Sequence, residues 1–88
     1  MEKKFRVGVL GGTGMVGQRF VQLLAAHPWF ETAAIAASPQ SAGRTYAEAV
    51  EVRWLLDGAV PDSARDLVLR DVSDVKGMAD RVDFLFSA

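Results

Sequence analysis

An α/β fold, a parallel sheet with flanking helices, is what this sequence predicts, and three observations carry the prediction. An apolar run from Phe5 to Leu10 stops at the glycine cluster Gly11-Gly12-Thr13-Gly14. The hydrophobic period then changes at once from that of a strand to that of a helix. Strand-like segments recur after helical or irregular stretches, which implies right-handed crossovers, parallel neighbours and ligands at the carboxyl ends of the strands.

Each element has its own justification. Phe5-Arg6-Val7-Gly8-Val9-Leu10 alternates imperfectly and then turns apolar, as a strand does on entering a sheet covered on both faces. From Met15 the apolar residues Val16, Phe20, Leu23 and Leu24 recur at helical spacing, with Gln18, Arg19 and Gln22 left for the outer face. That helix ends at His27-Pro28, because the residue before proline is pushed out of the α region. Residues 32–37 form a second strand by position, although their alanines are weak strand formers. Ser38 to Gly43 is a loop by composition. Tyr46, Val50 and Trp54 recur every four residues, as on a short amphipathic helix, and 57–66 is irregular. Leu67-Val68-Leu69 reads as a strand, 71–81 as a helix or turn-rich crossover, and Val82 to Ser87 as a strand reaching the same edge as the first.

Composition bounds the chemistry. The chain has 88 residues, half of them hydrophobic, and no cysteine. Its length allows one domain, 1–88, which buries about 60–65% of its unfolded surface. Without cysteine there is no disulfide framework, thiolate metal site or cysteine nucleophile. A single histidine, His27, cannot build a histidine-rich metal site, and no clustered carboxylates stand in for one. The apolar runs fall far short of the roughly 20 residues that span a bilayer, and no secretory segment opens the chain, so the cytoplasm is the expected compartment. A net charge of −1 gives no general attraction to nucleic acid or to an anionic membrane. The charge is uneven, however: residues 1–44 carry five basic groups against two acidic, and 45–88 five against nine. A phosphate site belongs in the first half.

Gly12-Thr13-Gly14-Met15-Val16-Gly17 fits G-x-G-x-x-G, and Gly11, Gly14 and Gly17 also fit G-x-x-G-x-x-G. A glycine at the strand end permits the tight turn, Gly14 lets the backbone approach a diphosphate, and Gly17 lets the helix lie close to the strand. The N–H groups of Thr13 to Val16 would then face an anion at the helix N-terminus. A tight turn that binds nothing would use the same glycines; the strand before the motif and the apolar-faced helix after it favour the dinucleotide reading.

In the NAD version of such a site an acidic residue at the end of the second strand holds the ribose 2′-hydroxyl. Here Ser38 stands at that place, and no Asp or Glu lies between Glu31 and Glu48. A carboxylate about 4 Å from a phosphate charge costs on the order of 1 kcal/mol in water and roughly 4 near a protein surface. Its absence makes room for a 2′-phosphate, with Ser38, Ser41 and Arg44 as donors, and favours NADP over NAD. Trp29, Phe30 and Trp54 read as core, His27 as a helix-end group, and Ser87 and Ala88 as neighbours of the cofactor.

The run from Val7 to Phe20, the loop Ala36-Ala37-Ser38-Pro39-Gln40-Ser41-Ala42-Gly43-Arg44-Thr45-Tyr46, Trp54 and the closing Val82 to Ala88 together closely resemble the start of the aspartate-semialdehyde dehydrogenase family, in its archaeal and fungal type. The resemblance implies a Rossmann-type NADP domain that is an incomplete, amino-terminal part of a larger two-domain enzyme. It also implies reduction of aspartyl phosphate to aspartate semialdehyde with NADPH, on the route to lysine, methionine and threonine, through a cysteine thioester and a histidine acid/base. Those two residues lie beyond Ala88 in the family, so this chain alone is expected to bind cofactor without turnover, with the rest of a homo-oligomeric parent as its partner. Gln40 stands where the family often has a basic residue, and Arg44 compensates. The nearest enzyme alternative is N-acetyl-γ-glutamyl-phosphate reductase, which the loop from Ser38 to Tyr46 disfavours; a non-catalytic dinucleotide-binding module is the alternative of another class.

Overall fold

A computed structural model describes residues 4–51, 54 and 59–88. The described elements are β1 (Phe5–Leu10), α1 (Met15–Ala26), β2 (Phe30–Ala37), α2 (Tyr46–Val50), α3 (Asp62–Arg65), β3 (Arg70–Asp71), α4 (Val75–Ala79) and β4 (Phe84–Ser87). The strands form one sheet in the order β3-β2-β1-β4, and every neighbouring pair is parallel. The expected α/β, Rossmann-type architecture is therefore the one found.

Alternation along β1 and β2 sends side chains to two separate clusters, because successive residues of a strand point to opposite faces. Val7, Val9 and Ile35 pack with Val21 and Leu24 of α1 and with Tyr46 and Val50 of α2. Ala34 and Ala36 pack on the other face with Met78 of α4, beside Leu10, Val82 and Leu85. The alanines of β2 are weak strand formers by propensity, but burial on a covered sheet decides here: Ala36 and Ala37 are essentially inaccessible.

Several sequence expectations are corrected. β2 begins at Phe30, not 32, and β4 at Phe84, not Val82. The stretch read as irregular contains the helical turn α3. The third strand is Arg70–Asp71, not 67–69. Val68 instead forms an isolated antiparallel bridge with Thr45, and Leu69 exchanges backbone hydrogen bonds with Gly43 and Arg44. This three-residue apolar run satisfies its backbone against residues 43–46 and against Ala64 of α3 rather than against the sheet. α2 ends at Val50; the expected continuation toward Trp54 runs through residues 52 and 53, which lie outside those described, as do residues 57 and 58 at the start of the stretch expected to be irregular.

The inward face of α1 also differs from its apolar periodicity. Gly17, Gln18, Val21 and Leu24 are buried, while Val16 and Leu23 are 60% and 53% exposed. Gln18 faces inward, not outward. Trp29, expected in the core, is 62% exposed, whereas Phe30 and Trp54 do pack against the larger cluster.

Candidate functional site

β1 lies at the middle of the sheet, so the turn that follows it has β2 on one side and β4 on the other. Leu10 is in register with Ala36 of β2 and Ser87 of β4. Three segments thus meet at the carboxyl edge: the glycine turn, the loop from Ser38, and Ser87-Ala88. This is where an open α/β sheet holds its ligands.

The turn is fixed from both sides. The N–H groups of Gly11 and Gly12 donate to the carbonyl oxygen of Ala36 at 2.9 and 3.2 Å. Gly11 has φ +79°, a left-handed conformation that disfavours any residue with a Cβ. Gly17 sits so close to the turn that a Cβ on it would lie 2.6 Å from the Cα of Gly12. α1 can therefore begin directly above the strand end.

Amides are left over where the turn enters α1. Those of Thr13, Gly14, Met15 and Val16 meet no acceptor among the described residues, Gly14 caps the helix with no side chain, and the first turn carries no acidic residue. A Cβ on Gly14 would meet nothing within 4 Å, so the space above these amides is open. The first N–H groups of a helix have no partner within it, and the helix dipole adds positive potential at the same place. The arrangement can hold a multiply charged anion such as a diphosphate.

Two buried polar side chains hold the turn from beneath. The Tyr46 hydroxyl donates to the carbonyl oxygen of Gly12 at 2.8 Å, and Gln18 Nε2 donates to that of Thr13 at 3.0 Å. Burial pushes the Tyr46 phenol well above its ordinary range, which keeps it a donor. Periodicity missed both residues, having placed Gln18 outside and Tyr46 among apolar neighbours. The signal lay in Gly17: the glycine that must touch the turn marks the inner face, and Gln18, Val21 and Leu24 follow it by one, four and seven.

The loop carries the other three donors. Ser38 and Arg44 are exposed and Ser41 is half-buried. The Ser38 carbonyl accepts from the N–H of Ser41 at 2.9 Å and of Ala42 at 3.1 Å, so the two serines bracket one turn. Gly43 has φ +90° and donates to the Leu69 carbonyl at 2.9 Å, while Leu69 donates to that of Arg44 at 2.7 Å. Thr45 and Glu48 then close a capping box that starts α2. At the opposite flank Ala88 donates to the Leu10 carbonyl at 2.9 Å, and its own carbonyl oxygen would lie 3.3 Å from a Cβ on Gly11.

His27 lies at the far end of α1. Its Nδ1 accepts the N–H of Trp29 at 3.1 Å, and its ring packs 4.7 Å from that of Phe30. It caps the helix and takes no part at the carboxyl edge. No described helix is long and apolar enough to cross a membrane.

Residues 6–88 match a family model described as semialdehyde dehydrogenase, NAD binding domain. The chain is 51% identical over 82 residues to an aspartate-semialdehyde dehydrogenase of Methanothermobacter thermautotrophicus, covering 93% of this chain and 22% of that protein. It is 52% identical over 64 residues to one of Archaeoglobus fulgidus, covering 73% and 18%. Its fold superposes with TM-score 0.86 on the crystal structure of aspartate semialdehyde dehydrogenase with NADP from Candida albicans, at 38% identity, over 98% of this chain and 23% of the other. The chain thus spans about a fifth of the length of the relatives it matches.

Proposed function

The chain belongs to the semialdehyde dehydrogenase NAD-binding domain family, and from that premise we propose that it is the NADPH-binding part of an aspartate-semialdehyde dehydrogenase. The observation that carries the reading is the set of unclaimed amides from Thr13 to Val16 below the open space at Gly14. In this reading those amides bind the diphosphate, and Gly11 and Gly12 shape the turn beneath it. Ser38, Ser41 and Arg44 receive the 2′-phosphate. Ser87 and Ala88 border the nicotinamide.

The residues present fit a phosphorylated dinucleotide: donors and open space lie at the turn, and no carboxylate occupies the loop from Ala36 to Thr45. When bound, the cofactor supplies the hydride that reduces an acyl group derived from aspartyl phosphate to the aldehyde. This chain's own task is to hold the cofactor. With no cysteine in its 88 residues, it leaves the thioester and the acid/base to the remainder of the parent enzyme, which we place in the cytoplasm as a homo-oligomer serving lysine, methionine and threonine synthesis.

Thermal unfolding tests the reading. A ligand at 100 times its Kd stabilises the folded state by about 2.7 kcal/mol, so saturating NADPH raises Tm by several degrees and the same concentration of NADH by clearly less. Equal shifts would remove the 2′-phosphate assignment to Ser38, Ser41 and Arg44. No shift with either would remove the dinucleotide site.

A further inference from the structure

Two polar side chains are almost wholly withdrawn from water and spend a hydrogen bond on the turn. Tyr46 is 0% exposed and Gln18 is 1% exposed. Each holds a backbone carbonyl, and the carbonyls are consecutive: Gly12 and Thr13. A peptide unit is planar, and in the trans form its C=O and N–H point in opposite directions. The described chain contains no cis peptide bond. Fixing the Gly12 oxygen toward Tyr46 therefore fixes the Thr13 N–H away from it. Fixing the Thr13 oxygen toward the Gln18 side chain likewise fixes the Gly14 N–H away from that side chain.

We propose that Tyr46 and Gln18 are positioning residues of the diphosphate site, which set the planes of two successive peptides so that the amides of Thr13 and Gly14 are presented outward before a ligand arrives. The proposal rests on the dinucleotide reading above and deepens it. Hydrogen-bond donors aligned in advance avoid the cost of ordering the loop on binding. The two anchors come from different elements, Gln18 from α1 itself and Tyr46 from the start of α2, so the turn is tied to both helices. Tyr46 also joins the turn to the element that follows the Ser38–Arg44 loop.

The test uses the full chain with Tyr46→Phe and Gln18→Met, each close to isosteric and each removing the donor to one carbonyl. The probes are NADP and 2′-AMP, which carries the 2′-phosphate but no diphosphate. The expected result is NADP affinity about tenfold weaker in either variant, which is about 1.4 kcal/mol at 25 °C, with 2′-AMP affinity within about twofold of wild type. Amide NMR supplies a second readout: NADP displaces the Thr13 and Gly14 resonances of the wild type, and the Thr13 response shrinks in Tyr46→Phe and the Gly14 response in Gln18→Met.

Unchanged NADP affinity in both variants, with the wild type binding normally, overturns the positioning role and leaves the cofactor site standing. Equal loss of NADP and 2′-AMP also overturns it, since a general loosening of the fold accounts for that result. A wild type that binds neither probe overturns the dinucleotide reading itself. Each variant tests one peptide plane, so the failure of one to fold leaves the other decisive.

Discussion

The hydroxyl of Tyr46 donates to the carbonyl oxygen of Gly12 at 2.8 Å, across 34 residues of sequence and inside the core. Burial raises the phenol's pKa well above its ordinary 10.0. The folded state therefore holds this proton more tightly than the unfolded chain does. By linkage, the stability this confers is complete below pH 10 and is lost progressively as pH rises above it. Tyr46 is the only tyrosine, so tyrosinate absorbance is expected to stay absent past pH 10 and to appear together with loss of helical circular dichroism. A tyrosinate signal near pH 10 in a chain that is still folded contradicts the buried hydrogen bond.

Gly14 and Gly17, both in the motif, are expected to respond oppositely to the same substitution. In Gly17→Ala the new Cβ meets backbone of the turn, 2.6 Å from the Gly12 Cα, and backbone cannot move aside cheaply. Overpacking of this kind typically costs about 1–3 kcal/mol, and each kcal/mol lowers Tm by roughly 4–8 °C in a domain of this size. In Gly14→Ala the Cβ enters open space. Tm is expected to change little while NADPH affinity falls, because the methyl group occupies the approach of the phosphates. Calorimetry and a binding titration on the two variants separate the effects.

The glycine spacing made the central part of this structure legible: β1, the turn, α1 and the parallel sheet all follow from a strand-to-helix change of period at Gly11 to Gly14. What periodicity could not supply was the rotation of α1 about its axis. Val16, Phe20, Leu23 and Leu24 form an apolar set, yet the seating of α1 on the turn is decided by Gly17, whose missing side chain permits the close approach. That choice turns Gln18 inward and leaves Leu23 more than half exposed. The third strand was misplaced for a related reason. Leu67 to Leu69 has strand composition, but Thr45 and Arg44 offered backbone partners nearer than the sheet did. The loop from Ser38 to Arg44 was legible by position after β2, since the end of a strand is fixed more firmly than the face of a helix.

The rotation of α1 is itself testable with neighbouring leucines. Leu24 is 7% exposed and belongs to the larger cluster, whereas Leu23 is 53% exposed. Leu24→Ala is expected to cost about 2–4 kcal/mol through lost burial and the cavity left behind. Leu23→Ala is expected to stay within about 0.5 kcal/mol of the parent, as exposed positions usually do. Urea unfolding of the two variants decides: similar losses would restore the inner face suggested by apolar spacing alone.

The capping box at the start of α2 gives a pH signature on the acid side. Glu48 Oε1 accepts from the Thr45 N–H at 3.0 Å and from the Thr45 hydroxyl at 2.9 Å. The backbone N–H is the larger cause, and together these donors hold the carboxyl below its ordinary 4.5. A carboxylate stabilised in the folded state binds its proton more weakly there than in the unfolded chain. Its contribution is therefore present above pH 4.5 and lost as pH falls through the lowered value. Glu48→Gln keeps a side chain that can complete the box but removes the titration, so its stability is expected to decline less steeply with acid than that of the parent. Thr45→Ala removes the cap, a change that typically costs about 1 kcal/mol. Because Thr45 directly precedes Tyr46, that variant also frays the element that carries the anchor of the glycine turn. NADPH affinity in Thr45→Ala is accordingly expected to fall at neutral pH, where Glu48→Gln leaves it unchanged; equal affinities in the two variants would show that the helix start does not support the turn.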